Sequence, residues 1–155
     1  MDLILWRHAE AEVGKVGEND EDRVLTSKGH RQAWKMGEWL ERTLPNTTRI
    51  LVSPTRRTVQ TAEALGRKYK INPGLAPSAT AESILSIVNW PEAREPVLVV
   101  GHQPTLGRIV AYILTGKEQD WAVRKSTAVW IAQKERGESA TNYLKAVMAP
   151  DMLGK

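Results

Sequence analysis

The order of apolar and amphipathic segments in this 155-residue chain predicts an α/β protein with three layers, α/β/α. Its central sheet is expected to be mostly parallel but mixed, and flanked by helices. Two observations carry this expectation. Short continuous apolar runs, the mark of strands covered on both faces, recur at 3–6, 49–52 and 97–100, and a segment of helical spacing follows each. Two later runs, 128–131 and 143–147, flank Glu135-Arg136-Gly137 and predict a hairpin that adds an antiparallel edge.

The elements follow in order. Leu3-Ile4-Leu5-Trp6 is the first strand. Residues 13–23 turn glycine-containing and acidic, as an exposed loop does. Thr26 can cap a helix running to about Leu44, with Ala33, Gly37, Leu40 and Leu44 on one stripe, and Pro45 ends it. Arg49-Ile50-Leu51-Val52 is the second strand. Ser53-Pro54 then reads as N-cap and first helical position of a helix carrying Thr58, Ala62, Leu65 and Tyr69, which stops near Asn72-Pro73-Gly74. A shorter helix is expected from Ala81 to Trp90, closed by Pro91. Val97-Leu98-Val99-Val100 is the third strand. Leu106, Ile109, Val110, Ile113 and Leu114 keep helical spacing up to Gly116.

Composition bounds the function. One domain spanning 1–155 is expected, long enough to hold a core without staples. The absence of cysteine excludes disulfide frameworks, thiolate metal sites and cysteine nucleophiles, and suits a reducing cytoplasm. Twenty-two basic against 18 acidic side chains give net +4, a mild bias toward anionic ligands and not a nucleic-acid signature. No apolar stretch approaches a membrane span, and the opening Met1-Asp2 lacks the basic start of a signal peptide. A soluble cytoplasmic protein without nucleic-acid or membrane partners is expected. Phenylalanine is absent while tryptophan occurs six times, which nothing in the sequence explains.

In open α/β sheets the ligand lies beyond the carboxyl ends of the strands. Arg7-His8 follows the first strand, Ser53 to Thr61 follows the second, and Gly101-His102 follows the third. Two of the three histidines thus meet arginines at one sheet edge. That combination suits phosphoryl transfer. Guanidinium forks match phosphate oxygens, and helix-start amides add further donors. Neighbouring cations disfavour imidazolium, which leaves a neutral ring able to attack phosphorus. A second histidine can donate to a non-bridging oxygen, so neither metal nor cofactor is required.

These motifs resemble those of the histidine phosphatase superfamily, the phosphoglycerate-mutase-like fold. Leu5-Trp6-Arg7-His8-Ala9 resembles its Arg-His-Gly signature, and Asp22 to Gly29 resembles the segment opening its first helix. Ser53-Pro54 with Arg57-Thr58-Val59-Gln60-Thr61, and then Gly101-His102, resemble its later motifs in order. The short length is most similar to the compact SixA-type phosphohistidine phosphatases. The resemblance implies that His8 is the phosphorylated nucleophile, that Arg7 and Arg57 bind the phosphoryl oxygens, and that His102 completes the pocket. Arg57 is preferred to Arg56 because of its spacing to Gln60.

There are two departures from the family pattern. Ala9 replaces a glycine, and the general-acid glutamate of larger members has no counterpart between Gly74 and Thr80. Phosphohistidine releases a neutral imidazole and so needs a dedicated acid less than an alkoxide does. The short stretch from Thr61 to Pro96 also leaves little chain for a lid. A phosphorylated protein carrying phosphohistidine is therefore the expected substrate, with a small phosphomonoester as the alternative. An inactive phospho-ligand binding module is a second alternative. Glu10, Glu12 and Asp22 are minor candidates for a proton donor. Asp20-Glu21-Asp22 reads as a solvated loop without calcium-loop spacing, His30 as structural, Trp34 and Trp39 as packing, and Lys28, Arg31 and Lys35 as a solvated basic face.

Overall fold

The computed structural model describes residues 1–135 and 140–154. Six strands form one sheet: β1 Asp2–Arg7, β2 Arg49–Val52, β3 Lys70–Ile71, β4 Val97–Gly101, β5 Ala128–Lys134 and β6 Thr141–Met148. The order across the sheet is β3-β2-β4-β1-β5-β6. The first four run parallel, and β5 is antiparallel to both β1 and β6, so the sheet is mixed as expected. Among the described residues four α-helices cover it: α1 Ser27–Thr43, α2 Arg56–Glu63, α3 Ala81–Ile87 and α4 Thr105–Thr115.

Side-chain alternation builds the three layers. Leu3, Leu5, Val97 and Val99 face one side and pack with Ile84 and Leu85 of α3 and Leu106 and Ile109 of α4. Ile4, Trp6, Leu98 and Val100 face the other and pack with Met36 and Leu40 of α1 and Ala62 of α2. Both faces of β1 and β4 are thereby closed to water, which is why these strands read as unbroken apolar runs.

The predicted starts of α1 and α3 and the predicted end of α4 hold, and the start of α2 shifts. Thr26 caps α1, its Oγ1 accepting the Gly29 N–H at 2.9 Å, and Ala33, Gly37 and Leu40 are buried as expected. A capping box of Thr80 and Ser83 opens α3, which ends at Ile87, short of the expected Trp90. Gly116, at φ 83°, terminates α4. The expectation that Ser53-Pro54 opens α2 is corrected: Thr55 is the N-cap. The β2–β4 ladder continues one residue further and takes the Ser53 N–H onto the Val100 carbonyl at 3.1 Å, so Ser53 still belongs to the sheet.

α2 is also shorter than its apolar spacing suggests. It stops at Glu63, Gly66 adopts φ 75°, and the chain returns to pair β3 with β2 through Leu51↔Lys70 and Val52↔Ile71. A strand of two exposed residues carries no alternation to read, so β3 was not foreseen. The hairpin strands β5 and β6 are present, with a register shift between Trp130 and Ile131. Arg136 and Gly137 of the expected turn lie outside the described residues. No helix among the described residues is long and apolar enough to cross a membrane.

Candidate active site

Strand register brings the two histidines together. Arg7 of β1 pairs with Gly101 of β4 in a parallel ladder, so His8 and His102 leave adjacent strands at the same level. The His8 N–H continues that ladder onto the Gly101 carbonyl at 3.1 Å. Their ring centroids lie 5.4 Å apart at an interplanar angle of 58°. Only 8% of His8 and 6% of His102 is exposed.

Each ring is held by one hydrogen bond. Nδ1 of His8 lies 2.7 Å from the Ala9 carbonyl. A carbonyl only accepts, so Nδ1 carries the proton and Nε2 keeps its lone pair. Nε2 of His102 lies 2.8 Å from Ser53 Oγ, a hydroxyl positioned by the same ladder extension that moved the α2 cap.

The arginines show a common geometry. Arg57, 4% exposed, is in the first turn of α2 and directs its terminal nitrogens at Asp20: Nη1 donates to the Asp20 carbonyl at 2.8 Å, and Nη2 to Oδ2 at 3.0 Å. Arg7 donates from Nη1 to the Val123 carbonyl at 2.9 Å. In both, the buried Nε has no partner among the described residues. A guanidinium has five N–H donors in two usable forks. The protein engages the far end of each and leaves the side fork, Nε with the adjacent Nη2 hydrogen, unused. Two side forks are donors of the kind a tetrahedral oxyanion takes.

The support is local and specific. Thr61 Oγ1 donates to the Arg57 carbonyl at 2.7 Å and accepts from Ala9 N at 3.0 Å, which ties α2 to the turn bearing His8. Gln60 Oε1 accepts the Leu25 N–H at 2.8 Å, so α2 also anchors the approach to α1. Ala9 is fully buried and packs with Leu25 and Ala33. Its methyl group belongs to that small cluster, so the replacement of glycine is absorbed by packing.

Burial sets the electrostatics. It lowers the His8 pKa to about 4; the Ala9 hydrogen bond acts the other way, and Arg57 and Arg7 add to the lowering. Burial likewise lowers His102 to about 3, assisted by His8 and Arg57. The expectation that cations are the chief reason for a neutral histidine is therefore corrected, since desolvation is the larger cause. Burial also lowers Arg7 from its ordinary value. Partial burial works against ionisation of Asp20, yet Arg57 and Arg23 hold its carboxyl below the usual range.

His8, His102, Arg7 and Arg57, named from sequence, thus meet at one sheet edge. Arg56 is exposed on α2, and among the described residues it makes no side-chain hydrogen bond or ion pair. Asp20 and Ser53 were missed in these roles. Asp20 falls in an acidic stretch that reads as solvated, and no spacing signals that a 3₁₀ turn folds it back on α2. Ser53 offered a capping signal that hid its use by His102. Glu10 accepts from Thr26 Oγ1 at 2.8 Å, Glu12 and Asp22 are exposed, and Glu82 lines a separate recess with Trp90 and Tyr112. Among the described residues no three metal-ligating side chains gather.

Comparison with known proteins agrees with this architecture. The model of the histidine phosphatase superfamily (branch 1) matches residues 3–78. A phosphohistidine phosphatase SixA homolog of Haemophilus influenzae is 33% identical over 126 residues, 72% of this chain and 76% of the relative. Phosphohistidine phosphatase SixA of Escherichia coli K12 is 28% identical over 125 residues, 76% of each chain. The structure of the protein histidine phosphatase SixA complexed with tungstate superposes with a TM-score of 0.77 at 26% identity, covering 98% of this chain and 99% of that one. The chain belongs to the histidine phosphatase superfamily, with a phosphoglycerate-mutase-like fold and SixA-type relatives, and is a phosphatase.

Proposed function

We propose that the protein removes the phosphoryl group from phosphohistidine on a protein, through a covalent phosphohistidine at His8. One observation carries the reading: a buried neutral imidazole with its lone pair on Nε2 lies within the positive field of Arg7 and Arg57, and each of these arginines has a buried Nε with no partner among the described residues. The side forks bind the non-bridging oxygens. Nε2 of His8 forms a bond to phosphorus as the bond to the substrate nitrogen breaks, and a leaving ring that already carries its other proton departs as neutral imidazole. The phosphorylated His8 ring gains positive character, which the Ala9 carbonyl accepting its Nδ1–H offsets. Water then attacks phosphorus, Nε2 takes back its electron pair, and phosphate leaves.

His102 donates to an oxygen as charge shifts onto it, a contribution of about 3–4 kcal/mol for a well-placed donor. The positive field comes from two arginines, so no metal enters the scheme. The names of the SixA relatives support the phosphohistidine substrate. The segment between Thr61 and Pro96 also supports it, because a two-residue strand and the seven-residue α3 leave little chain for a lid over a bulky protein substrate.

The test is rapid quench of the protein with a labelled phosphohistidine peptide in the presence of chelator. An acid-labile adduct that His8→Ala abolishes is the expected result. Faster turnover of alkyl phosphates than of phosphohistidine overturns the substrate assignment, and activity that returns only with a divalent metal overturns the mechanism.

A further inference from the structure

A groove of about 790 Å³ is lined by Arg7 and by neither histidine of the site. Arg7 and Thr127 line it, and Thr127, only 6% exposed, has a buried Oγ1 with no partner among the described residues. One wall is α1, which contributes Lys28, Arg31 and Lys35. These stand three and four residues apart, on one face over about 10 Å of helix. The other wall contributes Arg124 and Lys125 from the segment leading into β5. Six cations and two carboxylates, Glu10 and Asp151, line the groove.

What sets this arrangement apart is the concentration of cations around one groove. Outside the groove, Arg23, Arg67 and Arg108 each meet a carboxylate, Asp20, Glu41 and Asp120 respectively, and the exposed arginines without one among the described residues, Arg42, Arg49, Arg56 and Arg94, are not among the residues lining it. Within the groove only Lys125 has an acidic partner among the described residues, Glu10 at 4.0 Å. Lys28, Arg31, Lys35 and Arg124 have none there. Like charges concentrated on facing walls repel one another, a cost that an acidic ligand removes. The sequence offers Lys28, Arg31 and Lys35 only as a solvated helix face; the fold sets Arg124 and Lys125 opposite them, with Arg7 in the same groove.

We propose that this groove docks an acidic segment of the phosphorylated protein, so that carboxylates flanking the phosphohistidine lie between α1 and the Arg124-Lys125 wall. The inference rests on the phosphohistidine reading for its partner. The groove's length favours an extended or helical acidic segment over a compact anion, because cations placed along 10 Å match carboxylates placed along a chain. Arg7 joins the two regions: its side fork serves the phosphoryl group, and the same residue lines the groove. Docking therefore orients the substrate without a lid.

The experiment uses two synthetic peptides, with phosphohistidine flanked by glutamates or by serines, and the full chain with Lys28→Gln, Arg31→Gln and Lys35→Gln together. Glutamine keeps helix propensity, so α1 is preserved. The ratio of kcat/KM for acidic over neutral peptide is expected to be about tenfold in the parent protein, to fall toward one in the triple variant, and to shrink with added salt. Arg124→Gln with Lys125→Gln, on the opposite wall, is expected to lower the same ratio independently.

Anisotropy of a fluorescent, unphosphorylated glutamate-flanked peptide separates the two readings. Binding weakened about fivefold or more by the triple variant supports docking, even if neither phosphopeptide is hydrolysed, in which case the phosphohistidine reading fails alone. Equal ratios in all proteins, or peptide binding indifferent to both variants, overturn docking. Tight groove-dependent binding of tripolyphosphate with no response to the acidic peptide also overturns it, in favour of a small-polyanion site.

Discussion

Asp20 accepts from Arg57 twice, through its carbonyl at 2.8 Å from Nη1 and through Oδ2 at 3.0 Å from Nη2, and so occupies one fork of a buried guanidinium. An exposed acidic turn thereby orients a buried cation and leaves its other fork directed away. Asp20 is 60% exposed in its side chain, so the pair is screened, and its main effect is geometric.

Arg57→Lys is accordingly expected to lower kcat/KM by about 10²–10³, because an ammonium cannot present a planar fork to Asp20 and to phosphate together. Asp20→Asn keeps the oxygen on Nη2 but removes a negative charge near the oxyanion. Competitive inhibition by inorganic phosphate should tighten about two- to fivefold, as judged from Ki at low salt. A weaker phosphate Ki in that variant would show that the charge itself is needed.

Ser53→Ala removes the one hydrogen bond that the His102 ring makes among the described residues. One such bond is worth about 1 kcal/mol, so kcat should fall about five- to tenfold with KM little changed. The imidazole ¹⁵N shifts of His102 should report a changed tautomer balance, and Ser53→Thr should recover part of the loss.

Both buried imidazoles stay neutral far below their ordinary 6.5, His8 to about 4 and His102 to about 3. The unfolded chain protonates them near 6.5 and so binds more protons than the fold from there downward. Their contribution to stability is full above pH 6.5 and is lost progressively as pH falls toward 4 and 3. Urea midpoints measured from pH 7.5 to 4.5 should decline, and His8→Asn should flatten that decline. For the same reason the acid limb of kcat/KM is expected near pH 4 to 5 and not near 6.5.

Gly29 stands where a Cβ would run into the Glu10 carbonyl, two residues beyond the nucleophile. This close approach lets the first turn of α1 lie on the His8 loop, and Thr26 N donates to the same carbonyl at 3.0 Å. Gly29→Ala should destabilise the protein by about 1–3 kcal/mol. Thermal unfolding measures this, and activity below the shifted Tm should also drop as the loop is displaced.

The parts of this protein readable in its sequence are those with periodic or positional signals. Unbroken apolar runs marked β1, β2 and β4, because strands buried on both faces have no polar side to show. Chemistry placed directly after such runs marked His8, Arg57 and His102, because parallel strands deliver their carboxyl ends to one edge. β3 escaped notice because two exposed residues make no pattern, and the α2 cap was misplaced because two hydroxyls stood within three residues.

Sequence alone therefore determined the layered α/β architecture and four of the residues at its edge. Tertiary structure decided what each of them touches: Asp20 on Arg57, Ser53 on His102, and Arg124 and Lys125 across from Lys28, Arg31 and Lys35. The physical reason is range. Periodicity and capping act within a few residues and leave a mark in the chain, whereas these pairings join loops and helices 37 to 49 positions apart or more, and only the packed sheet brings them within reach.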